Sequence, residues 1–421
     1  METKLFDTAD KKEKVILIAV ERDNQLFDAI SSLDELKALA ETAGAVCVGK
    51  MLQKRESIDR AHYFGKGKLE ELKELIIETN ADGVICDDEL TSSQMKNMEE
   101  ILKVKIMNRT LVILDIFALR AKSAEAKAQV ELAQLKYKMS HLIGMGINMS
   151  RQGGGIGTRG PGEKKLETDR RCISDRIAEL NKELVQIEKH RNILRQKRMK
   201  NKIPVVAFAG YTNAGKSTLM NKVSNAGVLQ ENKLFATVET TTRKIELSSR
   251  TQCLFTDTVG FIQKLPHNLI KAFRSTLEEV KYADIIIHVV DASNDSRQNQ
   301  MKVVYDTLNE LGCVGKPIIT VFNKTDMPFQ KPLPIDKTAE YNILISAKKN
   351  KGIDEMLETV EKIIKSFKKN IKVLIPYEKG NYLKIIFDDC DIINDEYKPE
   401  GRYFEIFASP ENEGRLKEFI I

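Results

Sequence analysis

The chain of 421 residues has no tryptophan, its five histidines lie far apart, and its six cysteines never reach a C-x-x-C spacing. Such scatter argues against a structural metal centre or a disulfide framework, so Cys47, Cys86, Cys172, Cys253, Cys313 and Cys390 read as reduced thiols, several of them small hydrophobes in strands. No apolar run approaches 18 residues and Met1–Asp7 shows no signal-peptide pattern, which predicts a cytoplasmic chain without a membrane span. The net charge of +6 conceals an asymmetry. Residues 151–202 hold 15 Lys/Arg against 7 Asp/Glu, whereas residues 371–421 hold 7 against 11. One concentrated basic stretch points to nucleic acid or another polyanion, the alternative being a solvated helix face.

What is present is a series of nucleotide-site elements in order. Gly210-Tyr211-Thr212-Asn213-Ala214-Gly215-Lys216-Ser217 is a G-x-x-x-x-G-K-S phosphate loop. Its backbone N–H groups cradle phosphates, Lys216 reaches the β/γ oxygens and Ser217 ligates Mg²⁺. The apolar stretch Ile203–Ala209 before it reads as a buried strand and Thr218–Val223 after it as the start of a helix, the context the motif requires. Asp257-Thr258-Val259-Gly260 follows the strand Cys253–Thr256: the carboxylate faces Mg²⁺, and the Gly260 amide faces the γ-phosphate. Asn323-Lys324-Thr325-Asp326 follows the strand Pro317–Phe322. A fixed carboxylate accepts from guanine N1–H and its 2-amino group, whereas adenine would leave it unpaired. Asn323 then bridges base and loop, the Lys324 stem covers the ring face, and Ser346-Ala347-Lys348 offers a backbone N–H to guanine O6. Phe235–Arg243 lies where a nucleotide-sensing switch belongs, with Thr237, Thr240, Thr241 and Thr242 all candidates to give a hydroxyl to Mg²⁺. Position 261 is Phe, which cannot orient water as a glutamine would, so slow resting hydrolysis is expected, with Gln263 a candidate substitute.

Residues 1–109 alternate continuous apolar strands (Val15–Val20, Ala45–Val48, Gly83–Cys86, Val104–Met107) with helical patterns, predicting a small parallel sheet covered on both faces. Its Gly65–Lys68 precedes a helix and reads either as a phosphate site or as a plain turn. Residues 110–200 read as an antiparallel helical hairpin. One arm carries Leu111, Leu114, Ala118, Ala121, Ala128, Leu132, Leu135, Met139 and Leu142, broken by Glu125; the other runs from Leu166 to Leu194, broken by Arg170 and Arg191. The tip, residues 144–162, has eight glycines in 19 residues, and its Arg151, Gly153, Gly154, Gly155 and Arg159 are candidate RNA contacts. Residues 201–366 hold the nucleotide motifs, Lys362–Lys372 is expected to be a linker, and 371–421 form a small α+β piece with strands at Val373–Tyr377, Leu383–Phe387 and Tyr403–Phe407. The predicted fold class is therefore α/β: a P-loop domain with a parallel sheet, preceded by a small α/β domain and a long antiparallel helical hairpin, and followed by a small α+β domain.

The hairpin signature RQGGGIGTRGPGEKKLETDRR, with GYTNAGKST, FAT plus TTR, DTVGFI and NKTD, resembles the HflX family of translation-factor-like GTPases, related to the Obg GTPases. The resemblance covers nearly the whole chain. It implies a GTPase that cycles between GTP and GDP, uses Mg²⁺, binds the large ribosomal subunit and its ribosomal RNA, and splits stalled or idle ribosomes. It further implies nucleotide contacts along Phe235, Ala236, Thr237, Val238 and Glu239, with Thr237 as switch ligand to Mg²⁺ beside Ser217. This chain has Val238, Glu239 and Thr240 where Leu-Asp-Pro is usual. The catalytic set is then Lys216, Ser217, Thr237, Asp257 and Gly260, in a chain expected to be monomeric off the ribosome. Some relatives are tied to antibiotic tolerance, and in some the N-terminal domain uses ATP. Two other functions fit the same sequence: a GTPase assisting large-subunit assembly, and a GTP-bound coiled-coil scaffold.

Overall fold

The computed structural model describes residues 12–23, 26–150, 161–200, 203–224, 234–235, 239–248, 251–264, 274–313, 315–329 and 331–421. The first sheet is all parallel. Its strands β1 (Lys14–Glu21), β2 (Val46–Lys54), β3 (Gly83–Cys86) and β4 (Lys105–Asn108) stand in the order β2-β1-β3-β4. Val15, Leu17 and Ala19 pack under α1 (Ala29–Thr42) and α4 (Arg109–Arg120), while Ile16, Ile18 and Val20 pack under α2 (Lys66–Thr79) and α3 (Ser92–Leu102). Both faces of β1 are covered, which is why its sequence is a continuous apolar run. β2 runs six residues beyond the expected Val48 because, at the sheet edge, polar Lys50, Gln53 and Lys54 can pair along β1 while facing solvent.

The expected first arm of the hairpin is two helices. α4 stays on the sheet, and α5 (Ala124–Ser150) starts after a break at Ala121–Ser123. There, Ser123 Oγ accepts from Ala126 N (3.1 Å), a capping contact that starts a new helix. α6 (Pro161–Lys200) is 40 residues, about 60 Å at 1.5 Å per residue. α5 and α6 share the cluster Ala128, Leu132, Leu180, with Leu135, Ile177 and Leu184 against it. Two of the charges that interrupt the seam, Arg191 and Glu125, pair across it, and beside it Arg176 pairs with Glu131 at 2.7 and 2.9 Å. The expected glycine tip is partly helical, since α5 continues to Ser150 and α6 opens at Pro161.

The second sheet has the order β10-β9-β8-β5-β7-β6, parallel except for β6. Its strands are β5 (Val205–Gly210), β6 (Thr241–Glu246), β7 (Gln252–Asp257), β8 (Ile285–Asp291), β9 (Ile318–Asn323) and β10 (Tyr341–Leu344). Around it lie α7 (Lys216–Ser224), α8 (Arg274–Tyr282), α9 (Arg297–Glu310) and α10 (Ile353–Ser366). The expected linker Lys362–Lys372 is the end of α10 and the start of β11 (Lys369–Ile375), with only Phe367 and Lys368 between. β11, β12 (Asp391–Lys398) and β13 (Gly401–Ala408) form an antiparallel sheet in the order β11-β13-β12. Leu383–Phe387, expected as a strand, belongs to helix α11 (Leu383–Asp389): Leu383 and Ile386, three apart, both meet the core of this sheet, which a strand could not arrange. A last helix, α12 (Pro410–Leu416), places Leu416 on the same core. Among the described residues no helix is long and apolar enough to cross a membrane.

Because Leu180 is fully buried between α5 and α6, Leu180→Ala is expected to destabilise the hairpin by about 2–4 kcal/mol. Hydrogen exchange should rise in 170–190 while residues 203–224 stay protected; equal protection in both variants would contradict this packing.

Candidate functional site

The strands β5, β7, β8 and β9 end side by side at Gly210, Asp257, Asp291 and Asn323, at the carboxyl edge where open α/β sheets bind ligands. Between β5 and α7 the phosphate loop turns so tightly that Gly215 takes φ 98°, and a Cβ there would lie 2.2 Å from Asn323 Nδ2. Lys216, the first residue of α7, is buried, and its Nζ donates to the carbonyls of Gly210 (3.0 Å) and Tyr211 (2.8 Å). Burial lowers its pKa to about 8, against the opposing pull of Asp257. Ser217 follows in the first turn of α7, and Asp257 is buried at the end of β7. A hydroxyl and a carboxylate beside a phosphate loop are hard oxygen donors, the set that suits Mg²⁺ rather than a softer ion.

Residues 258–261 are sewn onto the phosphate loop. Thr258 Oγ1 donates to Phe208 O (2.6 Å), Phe261 N to Gly210 O (3.1 Å) and Thr212 N to Phe261 O (2.7 Å). Gly260 is required here, since a Cβ would come 2.8 Å from Thr212 Cα and 3.1 Å from Lys216 Nζ. Val259 and Phe261 are buried in the core that this domain shares with α4 and α5. Gln263, the candidate for orienting water, is buried and turned away: its Nε2 donates to Ser32 Oγ of α1 (3.2 Å).

At the base end, Asn323 joins two loops, donating to Ala214 O (2.9 Å) and accepting from Ala347 N (3.0 Å). The Ala347 amide of Ser346–Lys348 is thus committed to Asn323. Asp326 accepts from Ser346 Oγ (2.6 Å), a bond that holds its pKa below the usual carboxylate range. Thr325 Oγ1 donates to Ile345 O (2.8 Å), and Lys324, in the left-handed region at φ 65°, gives its ammonium to Asp291 (2.6 Å).

Of the switch candidates, Thr242 points its hydroxyl at Thr256 Oγ1 (3.0 Å) inside the sheet, and Thr241 begins β6. Phe235 packs edge-on against Phe117 of α4, with centroids 4.8 Å apart. The Glu239 carboxylate, expected at the nucleotide, instead accepts from Lys122 N and Ser123 N (both 2.7 Å) at the break between α4 and α5. Ala236, Thr237 and Val238 lie outside the described residues, as do Arg151, Gly153, Gly154, Gly155 and Arg159.

A polar knot that the motifs did not reveal fastens the site to the first sheet. The Tyr211 hydroxyl donates to Glu35 Oε2 (2.6 Å) and accepts from Gln263 N (2.8 Å). Arg109, fully buried, holds Glu35 (2.5 Å) and Asp87 (2.7 Å). Lys264 reaches Asp87 and, at 2.8 Å, Asp88. Burial alone would raise the Asp87 pKa; Arg109 and Lys264 overcome it and bring it to about 2. The one signal of this in the sequence is the acidic pair Asp87-Asp88 at the end of the apolar strand Gly83–Cys86.

A buried lysine between a glycine loop and a helix, an acidic strand end and an Asn-Lys-x-Asp loop on one sheet edge define a P-loop GTPase. Residues 205–324 match the family model described as 50S ribosome-binding GTPase, 30–118 that of GTP-binding GTPase N-terminal, and 120–198 that of GTP-binding GTPase Middle Region. The chain is 49% identical over 409 residues to GTPase HflX of Lacrimispora saccharolytica, spanning 97% of this chain and 96% of the relative. It is 35% identical over 401 residues to GTPase HflX of Escherichia coli, spanning 94% and 93%. A GTP-binding protein from Sulfolobus solfataricus, solved in complex with GDP, is 24% identical with TM-score 0.44, spanning 84% of this chain and 99% of that one. The chain belongs to the HflX family of GTPases.

Two outcomes follow from these contacts. Lys216 is an ammonium below about pH 8 and neutral above it, and phosphate prefers the ammonium, so GDP affinity should fall as pH rises from 7 to 9. A flat profile would contradict the lowering of the Lys216 pKa by burial. Lys264→Ala removes the charged partner shared by Asp87 and Asp88 and should lower stability by about 1–3 kcal/mol. Thermal unfolding indistinguishable from the parent would deny the knot its structural weight.

Proposed function

We propose that this GTPase uses GTP to time its engagement with the large ribosomal subunit and splits stalled or idle ribosomes. The observation that carries this reading is that both segments flanking the γ-phosphate position are tied to other parts of the chain, one of them the root of the basic hairpin. Glu239 and Phe235 touch the base of the hairpin, and Gln263 and Lys264 touch the first sheet. A change at the phosphate is therefore felt at the root of an arm whose residues 151–202 carry 15 basic against 7 acidic side chains. Arg151, Gly153, Gly154, Gly155 and Arg159 at the tip are the proposed RNA contacts.

In the proposed reaction, water attacks the γ-phosphorus in line, its bond to the bridging oxygen breaks, GDP leaves and the water proton ends on the released phosphate, while Lys216, the loop amides of Gly210–Ser217 and the Gly260 amide stabilise the charge. Ser217 and Thr237, with Asp257, would hold Mg²⁺, which would supply charge neutralisation at the phosphates. Asp326, Asn323 and the Ser346–Lys348 loop select guanine. Buried Phe261, and Gln263 turned to Ser32 of α1, leave neither of the two to position water, and in this reading the ribosome supplies that step. The proposed setting is the cytoplasm, and the proposed free form a monomer. Against the scaffold reading, the a/d seam that self-association would need is already spent between α5 and α6.

GTP turnover measured with and without purified large subunits, at two salt concentrations, tests this. Slow basal hydrolysis, strong stimulation by subunits and loss of stimulation at high salt are expected, since phosphate contacts weaken steeply with ionic strength. Light scattering should show 70S particles dissociating; binding to immature subunits alone would favour assembly instead.

A further inference from the structure

Asp291 stands at the end of β8, directly opposite Asn323 in the register of β8 and β9, and its neighbour Ala292 N donates to Asn323 O (2.8 Å). No nucleotide motif includes it, yet its carboxylate is fixed at both oxygens. Oδ1 accepts from Ser293 N (3.0 Å) and Ser293 Oγ (2.6 Å), and Oδ2 accepts from Lys324 Nζ (2.6 Å). Asp291 also lines a cleft of about 320 Å³ together with Thr212 and Asn213 of the phosphate loop. The Lys324 side chain therefore starts beside Asn323 and Asp326 and ends against the wall of that cleft.

Held this way, Lys324 is not a free cation. Its backbone sits in the left-handed region, Met327 N donates to its carbonyl (3.0 Å), and its ammonium is pinned. A lysine fixed at both ends presents its four methylenes as a flat apolar strip, and ordering that stem in advance removes entropy otherwise lost on binding. An unpinned stem would sample solvent rotamers and cover the base only part of the time.

We infer that Asp291 is a positioning residue for guanine recognition: it acts through Lys324, pinning the ammonium so that the stem forms one wall of the base slot. This deepens the guanine reading above and rests on it. The inference makes the effect specific to the base. Ligands that engage only the phosphate loop should not sense Asp291.

The test is a double-mutant cycle on the full chain with Asp291→Asn and Lys324→Met, reading the affinity of fluorescently labelled GDP and its displacement by pyrophosphate. Asn keeps an oxygen for Ser293 but turns an amide, not a carboxylate, toward the ammonium; Met keeps an unbranched stem without a head. Asp291→Asn should weaken GDP about tenfold, the scale of one charge-assisted hydrogen bond, and leave pyrophosphate affinity within twofold. The double variant should bind GDP no worse than the weaker single variant. Additive losses, or an equal loss of pyrophosphate affinity, would overturn the inference, because Asp291 would then act on the loop or the fold rather than through Lys324. Asp326→Asn, scored with GDP against XDP, tests the guanine reading by itself. A switch to XDP with additive Asp291 and Lys324 losses sinks only the positioning role, whereas no switch sinks the guanine reading.

Discussion

The contact on which the rest depends is the buried ion network around Arg109. A fully buried guanidinium is tolerable only when its charge is met at hydrogen-bond distance, because desolvation of an unpaired charge costs several kcal/mol. Asp87 and Glu35 meet it, Ser32 adds its carbonyl (3.0 Å) and hydroxyl (3.1 Å), and each carboxylate then hands a second bond to the nucleotide domain, Glu35 to Tyr211 and Asp87 to Lys264. The first sheet thus cannot part from the nucleotide domain without uncovering paired charge on both sides. A purely apolar interface of the same size would lack that directional demand and would tolerate slippage.

The network sits where the topology of the first sheet provides a crevice. With strand order β2-β1-β3-β4, the chain leaves β1 toward β2 on one side and leaves β3 toward β4 on the other, so the connections part between the carboxyl ends of β1 and β3. Arg22 follows β1, Asp87 and Asp88 follow β3, and Arg22 pairs with Asp88 (3.0 Å) across the gap. In many α/β proteins such a crevice takes a diffusible ligand; here Lys264 of the neighbouring domain enters it. Tyr63, whose hydroxyl donates to Asp88 (2.8 Å) and receives Val20 N (3.1 Å), closes the back of the crevice. Intramolecular occupation explains why two adjacent carboxylates are stable there.

How much of this was legible in the sequence follows from the range of each interaction. The phosphate loop, Asp257–Gly260 and Asn323–Asp326 are local strings at strand ends, and the α/β order around them is a local periodicity, so both fold class and nucleotide class could be read directly. The knot could not. Its partners are 22 residues apart for Arg109 and Asp87, 176 for Tyr211 and Glu35, and 177 for Lys264 and Asp87, and no periodicity encodes such pairings. Two misreadings share one cause. Leu383–Phe387 is β-branched and aromatic enough to suggest a strand, but Leu383 and Ile386, at helical spacing, are the residues that join the core cluster. The stretch Leu111–Leu142 keeps helical spacing straight through a break that Ser123 caps locally and that the distant Glu239 carboxylate holds through the Lys122 and Ser123 amides.

That break gives the hairpin its geometry. Lys122 and Ser123 are the only residues between Ala121, which closes α4, and α5, and their amides are held by the Glu239 carboxylate, two residues before β6 begins. α4 is anchored on the first sheet with Val112, Ile113 and Phe117 in the core, whereas α5 leads away toward the glycine-rich tip. Its residues as far as His141 are held on the first domain as well: Ala126, Val130 and Ala133 share the core of α4, the Tyr137 hydroxyl accepts from Asn108 Nδ2 (3.0 Å), and His141 Nε2 lies 3.3 Å from Leu90 O. The side chain that grips the break comes from the segment joining α7 to β6, so withdrawing Glu239 would leave the Lys122 and Ser123 amides without that partner. Since α6 is clamped to α5 by Arg191–Glu125 and Arg176–Glu131, both helices depend on the first domain and on the Glu239 contact for their direction.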